Sequence, residues 1–226
     1  MTKDITIIIF GAGSEIAKNV FGKIDAKNVL GFSRITKASK IKVYKSYDYT
    51  KLNSVIKNFS KKENNKLVVV FMETLSINNL IINKKTSELL KEIKVNLINP
   101  HIIVKKILPI MIKEKWGRFI FAGSSGALKA DVGISGYVAG KYASLGYSKS
   151  LSREYGRLGI TSNYLSLGLF PTPLFNKLNK SIKQKLLDQT DTRTLGDYSS
   201  IINAINFIIK SNYITGSIIS IDGGFN

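Results

Sequence analysis

The 226-residue chain predicts an α/β fold: a doubly wound, seven-stranded parallel sheet with helices on both faces. Two observations carry this. Apolar runs alternate with helix-length segments from one end to the other, the pattern of successive βαβ crossovers. The runs are also continuously apolar and rich in Ile and Val, which suits strands covered on both faces. Strands are expected at 5–10, 29–32, 41–47, 67–71, 118–122, 161–165 and 218–221. Helices are expected at 15–23, 52–59, 88–113, 136–156 and 199–211. No Pro-rich linker, charge block or repeat divides the chain, so residues 1–226 read as one domain. Pro171 and Pro173 open a looser segment, 172–197, expected to hold a short helix and to cover a substrate pocket.

Composition narrows the function classes. The 44% hydrophobic content supplies a sizeable core. Cysteine is absent, which removes disulfide and thiolate chemistry and fits a cytoplasmic setting. The short apolar run before Phe10 leads into a glycine turn rather than a signal-peptide cleavage site. No apolar stretch long enough to span a bilayer is expected, so no membrane partner is either. Lys and Arg number 34 against 15 Asp and Glu, a net charge of +19. The lysines are spread along the whole chain without a nucleic-acid motif, and read as a solvated surface that also attracts anionic cofactors or substrates.

The turn Gly11-Ala12-Gly13-Ser14-Glu15-Ile16-Ala17 follows the first strand and opens the first helix. Glycines there let backbone approach a pyrophosphate, and the helix N-terminus favours its charge. Glu15 and Ala17 stand where a strict fingerprint has glycine, although a first-turn carboxylate is able to point outward and gain from the helix dipole. Ser33 and Arg34 end the second strand in place of an acidic residue, which suits a 2′-phosphate and favours NADP(H) over NAD(H). Asp48 either accepts a bond from an adenine amino group or caps the following helix.

Tyr137 and Lys141 lie four apart on a predicted helix, so the ammonium and the phenol share a face. A cation held there favours phenolate and is expected to lower the tyrosine pKa toward working pH, fitting Tyr137 for proton transfer. Ser124 precedes Tyr137 by thirteen residues and ends the fifth predicted strand in Ala122-Gly123-Ser124-Ser125. His101, the single histidine, reads as a helix residue, and no metal site is expected.

These motifs together resemble the short-chain dehydrogenase/reductase family, in its compact branch and similar to 3-oxoacyl-ACP reductase-like proteins. Asn96 in Val95-Asn96-Leu97, Leu167-Gly168-Leu169-Phe170-Pro171-Thr172, and Tyr213-Ile214-Thr215-Gly216 followed by Asp222-Gly223-Gly224 extend the likeness over nearly the whole chain. The resemblance implies a Rossmann-like fold and hydride transfer between a nicotinamide and a carbonyl or alcohol. It implies Asn96, Ser124, Tyr137 and Lys141 as the catalytic group. Ser124 would hold the substrate oxygen, Lys141 the nicotinamide ribose, and Asn96 a water that relays protons to Lys141. Gly11, Gly13, Ser14, Glu15, Ile16, Ser33, Arg34, Asp48, Tyr137, Lys141 and Thr172 would line the cofactor. A homodimer or homotetramer, associating through the helices that carry Asn96 and Tyr137, is implied as well. Phe71-Met72-Glu73-Thr74 stands where the family has Asn-Asn-Ala-Gly. That departure, with Glu15 and Ala17, supports the alternative of a non-catalytic dinucleotide-binding or regulatory protein.

The apolar residues Leu174, Phe175, Leu178, Ile182 and Leu186 form a helical stripe expected to pack over the pocket. Lys177, Lys180, Lys183 and Lys185, interspersed among them, read as a solvated face to which an anionic substrate would be drawn.

Overall fold

The computed structural model describes residues 4–24, 26–34, 42–45, 49–60 and 66–225. Seven parallel strands form one sheet: β1 (Ile5–Phe10), β2 (Asn28–Ser33), β3 (Lys42–Lys45), β4 (Lys66–Phe71), β5 (Gly117–Ala122), β6 (Ile160–Leu167) and β7 (Ile218–Ile221). Their order is β3-β2-β1-β4-β5-β6-β7. The order reverses between β1 and β4, and such a switch point opens a crevice at the carboxyl ends of the strands. This is the predicted doubly wound α/β fold, Rossmann-like in its strand order.

The strands are continuously apolar because both faces are covered. On one face Ile5, Ile7, Ile9, Val68, Val70 and Ile120 pack under helices α1 (Glu15–Phe21) and α9 (Tyr198–Lys210). On the other, Phe10, Phe71 and Phe121 pack under α2 (Tyr49–Ser60), α4 (Asn99–Glu114) and α6 (Ser135–Tyr155). Rings cross that second face from strand to strand: Phe32 to Phe10 at 5.0 Å, Phe10 to Phe71 at 5.7 Å, Phe71 to Phe121 at 4.8 Å. This row accounts for the first residue of the altered Asn-Asn-Ala-Gly segment. Phe71 supports the sheet by stacking where an amide would do so by hydrogen bonding.

The helix expected over 88–113 is three joined pieces: α3 (Thr86–Ile93), a π-turn (Lys94–Ile98) and α4. By length and composition, Thr86–Glu114 does pass as a membrane span, against the sequence expectation; it lies against the protein's own core, with Ile103, Val104, Ile107 and Met111 buried. After α5 (Ser125–Lys129) and α6, the segment 172–197 holds two short helices, α7 (Pro173–Asn176) and α8 (Lys180–Leu187). The predicted apolar stripe there is only partly realised. Phe175 is buried, whereas Leu174 and Ile182 face solvent at 77% and 43% exposure, because α7 is one turn long and does not continue into α8.

Candidate active site

Gly11 follows β1 with φ +90°, a conformation that disfavours any side chain, and an added Cβ would lie 2.6 Å from the Glu73 nitrogen. The backbone after β1 therefore passes directly against the backbone after β4, where Met72 N–H also donates to Phe10 O at 2.8 Å. Ser14 caps α1, its hydroxyl accepting from Ala17 N–H at 3.1 Å. Gly11, Gly13, Ser14, Ser33 and Arg34 line one cleft of about 250 Å³ at the switch point. Ser33 is buried at the end of β2, and Arg34 is exposed beside it.

Five expected cofactor contacts do not line this cleft: Tyr137 and Lys141 belong to the group beside it, and Glu15, Ile16 and Thr172 lie elsewhere. Glu15 turns its carboxylate along α1, where Oε1 accepts from Asn19 Nδ2 at 2.9 Å, and so clears the anion site. Ile16 packs against the core beneath α1. Thr172 caps α7, accepting from Phe175 N–H at 3.4 Å. Asp48 lies outside the described residues, and α2 begins just after it at Tyr49. The cleft also includes Met72, Glu73 and Thr74, from the segment that stands in place of Asn-Asn-Ala-Gly, and Leu75 and Val95, which the sequence reading did not assign. Leu75 follows that segment directly, and Val95 precedes Asn96 in the π-turn.

Asn96, Ser124, Tyr137 and Lys141 come together beside this cleft. Ser124 is the N-cap of α5, its hydroxyl lying 3.4 Å from Ala127 N. Tyr137 lies beside Ser124 and Thr74, whose side chains favour its ionised form. Asn96 is buried in the π-turn, where Nδ2 donates to Glu92 O at 2.9 Å and to Leu75 O at 3.4 Å. Gly140 permits the contact between the π-turn and α6, since a Cβ there would meet Asn96 Cβ at 2.8 Å. A cavity of about 10 Å³, room for one water, is bounded by Asn96, Lys141, Ala122 and Ser144.

The electrostatics correct one expectation. Lys141 Nζ donates to Ala122 O at 2.8 Å and stands 5.8 Å from the centre of the Tyr137 ring. The ammonium is drawn to that buried carbonyl rather than to the phenol oxygen. Burial is the largest influence on Tyr137 and raises its pKa; hydrogen bonds with Ser124 and Thr74 pull it back. Burial brings Lys141 down to about 8. His101 is an exposed helix residue whose Nδ1 lies 3.0 Å from the Tyr147 hydroxyl.

A dinucleotide cleft at the switch point, adjoined by a Ser-Tyr-Lys group, defines a dinucleotide-dependent oxidoreductase. Comparison with known proteins agrees. A family model described as Enoyl-(Acyl carrier protein) reductase matches residues 48–226. The 3-oxoacyl-[acyl-carrier-protein] reductase FabG of Buchnera aphidicola subsp. Baizongia pistaciae is 31% identical over 243 residues, covering 99% of this chain and 97% of its own. The protein of the same name from Buchnera aphidicola subsp. Acyrthosiphon pisum is 29% identical over 234 residues, covering 97% and 96%. The structure of ElxO with NADP bound matches with a TM-score of 0.85 at 25% identity, over 98% of both chains. That of 4-hydroxyisoleucine dehydrogenase complexed with NADH, 22% identical over 98% of both chains with a TM-score of 0.82, shares the fold. The chain belongs to the short-chain dehydrogenase/reductase family and is an NAD(P)-dependent oxidoreductase.

Proposed function

We propose that the protein reduces a carbonyl with NADPH, or oxidises the corresponding alcohol with NADP+, using Tyr137 as the proton donor and acceptor. The observation that carries this reading is the placing of the buried Lys141, its Nζ 5.8 Å from the centre of the Tyr137 ring, in a group with Asn96 and Ser124 beside the dinucleotide cleft. The residues present fit the cofactor. Gly11 gives backbone access that any Cβ would close, Ser14 opens a helix N-terminus, and Ser33 with Arg34 suits a 2′-phosphate. When bound, the nicotinamide supplies the hydride.

The chain's own groups handle the proton and the developing charge. Ser124 and Tyr137 form a donor pair aimed at one oxygen, preorganised so that no reorientation is needed as charge builds there. In reduction Tyr137 gives its proton to that oxygen; in oxidation the phenolate takes it back. Lys141, held by Ala122 O beneath the tyrosine ring, would bind the cofactor ribose and add positive potential. Asn96 borders the one-water cavity next to Lys141, which supports a role in resupplying protons from solvent.

The relatives named above support a 3-oxoacyl thioester as substrate. Lys177, Lys180, Lys183 and Lys185, around α7 and α8, would attract its anionic carrier. In acetoacetyl-CoA reduction, Tyr137→Phe is expected to lower kcat by at least about a hundredfold, while NADPH binds within about twofold of wild type. Nicotinamide fluorescence titration measures the binding, and NADPH is expected to bind more tightly than NADH. Retention of ordinary activity in this variant would falsify the role of Tyr137. Absence of binding by either nucleotide would remove the enzyme reading in favour of a non-catalytic protein.

A further inference from the structure

Glu73 brings a carboxylate to the boundary between two spaces of the site. It borders the dinucleotide cleft together with Gly11, Ser14 and Arg34, and it borders the one-water cavity together with Asn96 and Lys141. In Phe71-Met72-Glu73-Thr74 it occupies the place of the alanine of Asn-Asn-Ala-Gly, where no side chain beyond a methyl would enter either space. Its backbone is fixed, because a Cβ on Gly11 would lie 2.6 Å from Glu73 N and Met72 N–H donates to Phe10 O at 2.8 Å. Its direction follows from the strand before it. Phe71 ends β4 on the face covered by α4 and α6, and the period of two returns Glu73 to that face.

The cavity itself has apolar walls in Phe71, Pro100 and Phe121. Glu73 and Lys141 are the two ionisable groups among the described residues that border it. Ala122 O takes one N–H of the Lys141 ammonium at 2.8 Å, and an ammonium has three to give. The other polar neighbours are committed elsewhere: Asn96 Nδ2 donates to Glu92 O and Leu75 O, and Ser144 Oγ donates to Lys141 O at 2.9 Å. A water confined here requires at least two polar partners. Lys141 offers it an N–H, and the Glu73 carboxylate is the strongest acceptor on the wall. Lys141 is buried, whereas Glu73 is half-buried and also reaches the cleft.

We propose that Glu73 is the outer proton-exchange group of this site, passing protons between the cavity water at Lys141 and the solvent of the dinucleotide cleft. The inference rests on the function proposed above, in which each reduction removes one proton from the Tyr137–Lys141 pair. When Lys141 is left as the amine, the cavity water gives it a proton and takes one from the Glu73 carboxylic acid. The Glu73 carboxylate then takes a proton from solvent in the cleft, so that water, lysine and glutamate all end as they began and no electrons move. In alcohol oxidation the same transfers run outward. Burial brings the ammonium to about 8, which makes this exchange less uphill than it would be from an ordinary lysine.

The test is acetoacetyl-CoA reduction by NADPH with wild type, Glu73→Gln and Glu73→Asp. Glu73→Gln keeps the shape and cannot carry a proton, and is expected to lower kcat by at least about tenfold, with a larger solvent deuterium isotope effect than wild type. Glu73→Asp retains an acid and is expected to recover most of the rate. Added formate, a small acid able to reach the water from the cleft, is expected to restore Glu73→Gln several-fold and to leave wild type unchanged, while chloride at equal ionic strength restores nothing. A Glu73→Gln variant with wild-type kcat overturns the proposal, as does a loss that neither Glu73→Asp nor formate relieves, since a merely structural glutamate would behave in that way. A wild-type protein that turns over nothing would overturn the function proposed above and the relay with it; an active wild type matched by Glu73→Gln overturns the relay alone.

Discussion

Lys141 concentrates the conflict between stability and function at a single residue. Its side chain is 95% removed from solvent, its ammonium meets one carbonyl, and burial brings its pKa from 10.5 to about 8. Below pH 8 the folded protein therefore holds a charge that the unfolded chain would solvate better. Between pH 8 and 10.5 the unfolded state binds more protons than the native state, so stability contributed through this group rises with pH. A depression of this size corresponds to roughly 3 kcal/mol, against about 1 kcal/mol for the hydrogen bond to Ala122 O. Lys141→Met is accordingly expected to be roughly 2 kcal/mol more stable than wild type at pH 7, and to lose that advantage by pH 10.5. Urea unfolding at the two pH values measures both terms, and a destabilised variant at pH 7 would show that the buried ammonium is not strained. A buried ammonium beside Tyr137 is the cost expected of the role proposed for Lys141, since a neutral side chain would fill the position more stably.

At the scale of elements, the junction of α3, the π-turn and α6 decides whether the site exists. Gly136 lets α6 approach α3 so closely that a Cβ would sit 1.9 Å from Glu92 Oε2. Glu92 and Lys84 form a buried ion pair there, with side chains 0% and 5% exposed. Removing one partner strands the other charge and typically costs about 3–5 kcal/mol, whereas removing both costs much less. Glu92→Leu is expected to fall in that range, and Lys84→Met added to it should recover part of the loss. The recovery is incomplete because the Ile77 amide and carbonyl then lose their partners. Equal stability of the single and double variants in urea would show that the two charges are not coupled. This junction also marks where sequence reading stops. Periodicity revealed the strands and the helix that carries Tyr137 and Lys141, because those patterns are local. The thirteen-residue interval placed Ser124 beside them. Phe71 was legible only as a departure from a motif: its role, in a ring stack crossing several strands, exists only after the chain has folded. The π-turn was invisible for a related reason, since it adds one residue to a helix without disturbing its apolar pattern.

At the scale of the whole molecule, the surface carries apolar groups that the fold itself does not cover. Leu89 and Leu90 on α3, Ile98 in the π-turn and Ile112 on α4 are exposed, Leu90 at 62%. Phe207 on α9, at 54%, and Ile218 on β7 are exposed as well. The two groups lie on elements that cover opposite faces of the sheet, α4 with the Phe10 face and α9 with the Ile7 face. A net charge of +19 keeps copies apart in solution unless contact buries enough apolar surface to overcome it. Two self-complementary patches on separate faces generate a closed tetramer by two different twofold contacts, while one patch alone gives a dimer. We propose a homotetramer, in which the α3/α4 contact would also brace the helices that carry Asn96 and Tyr137. Light scattering is expected to give four chains per particle for wild type and two for either Leu90→Glu or Phe207→Glu, with the double variant monomeric. Raised salt should strengthen the wild-type assembly by screening like charge, and the glutamates act by placing an unpaired charge in an apolar contact, so salt should not rescue them. Only the Leu90→Glu dimer is expected to lose turnover as well, because it alone removes support from the helices of the site. A monomeric wild-type protein with full activity would show that the exposed residues serve neither assembly nor catalysis.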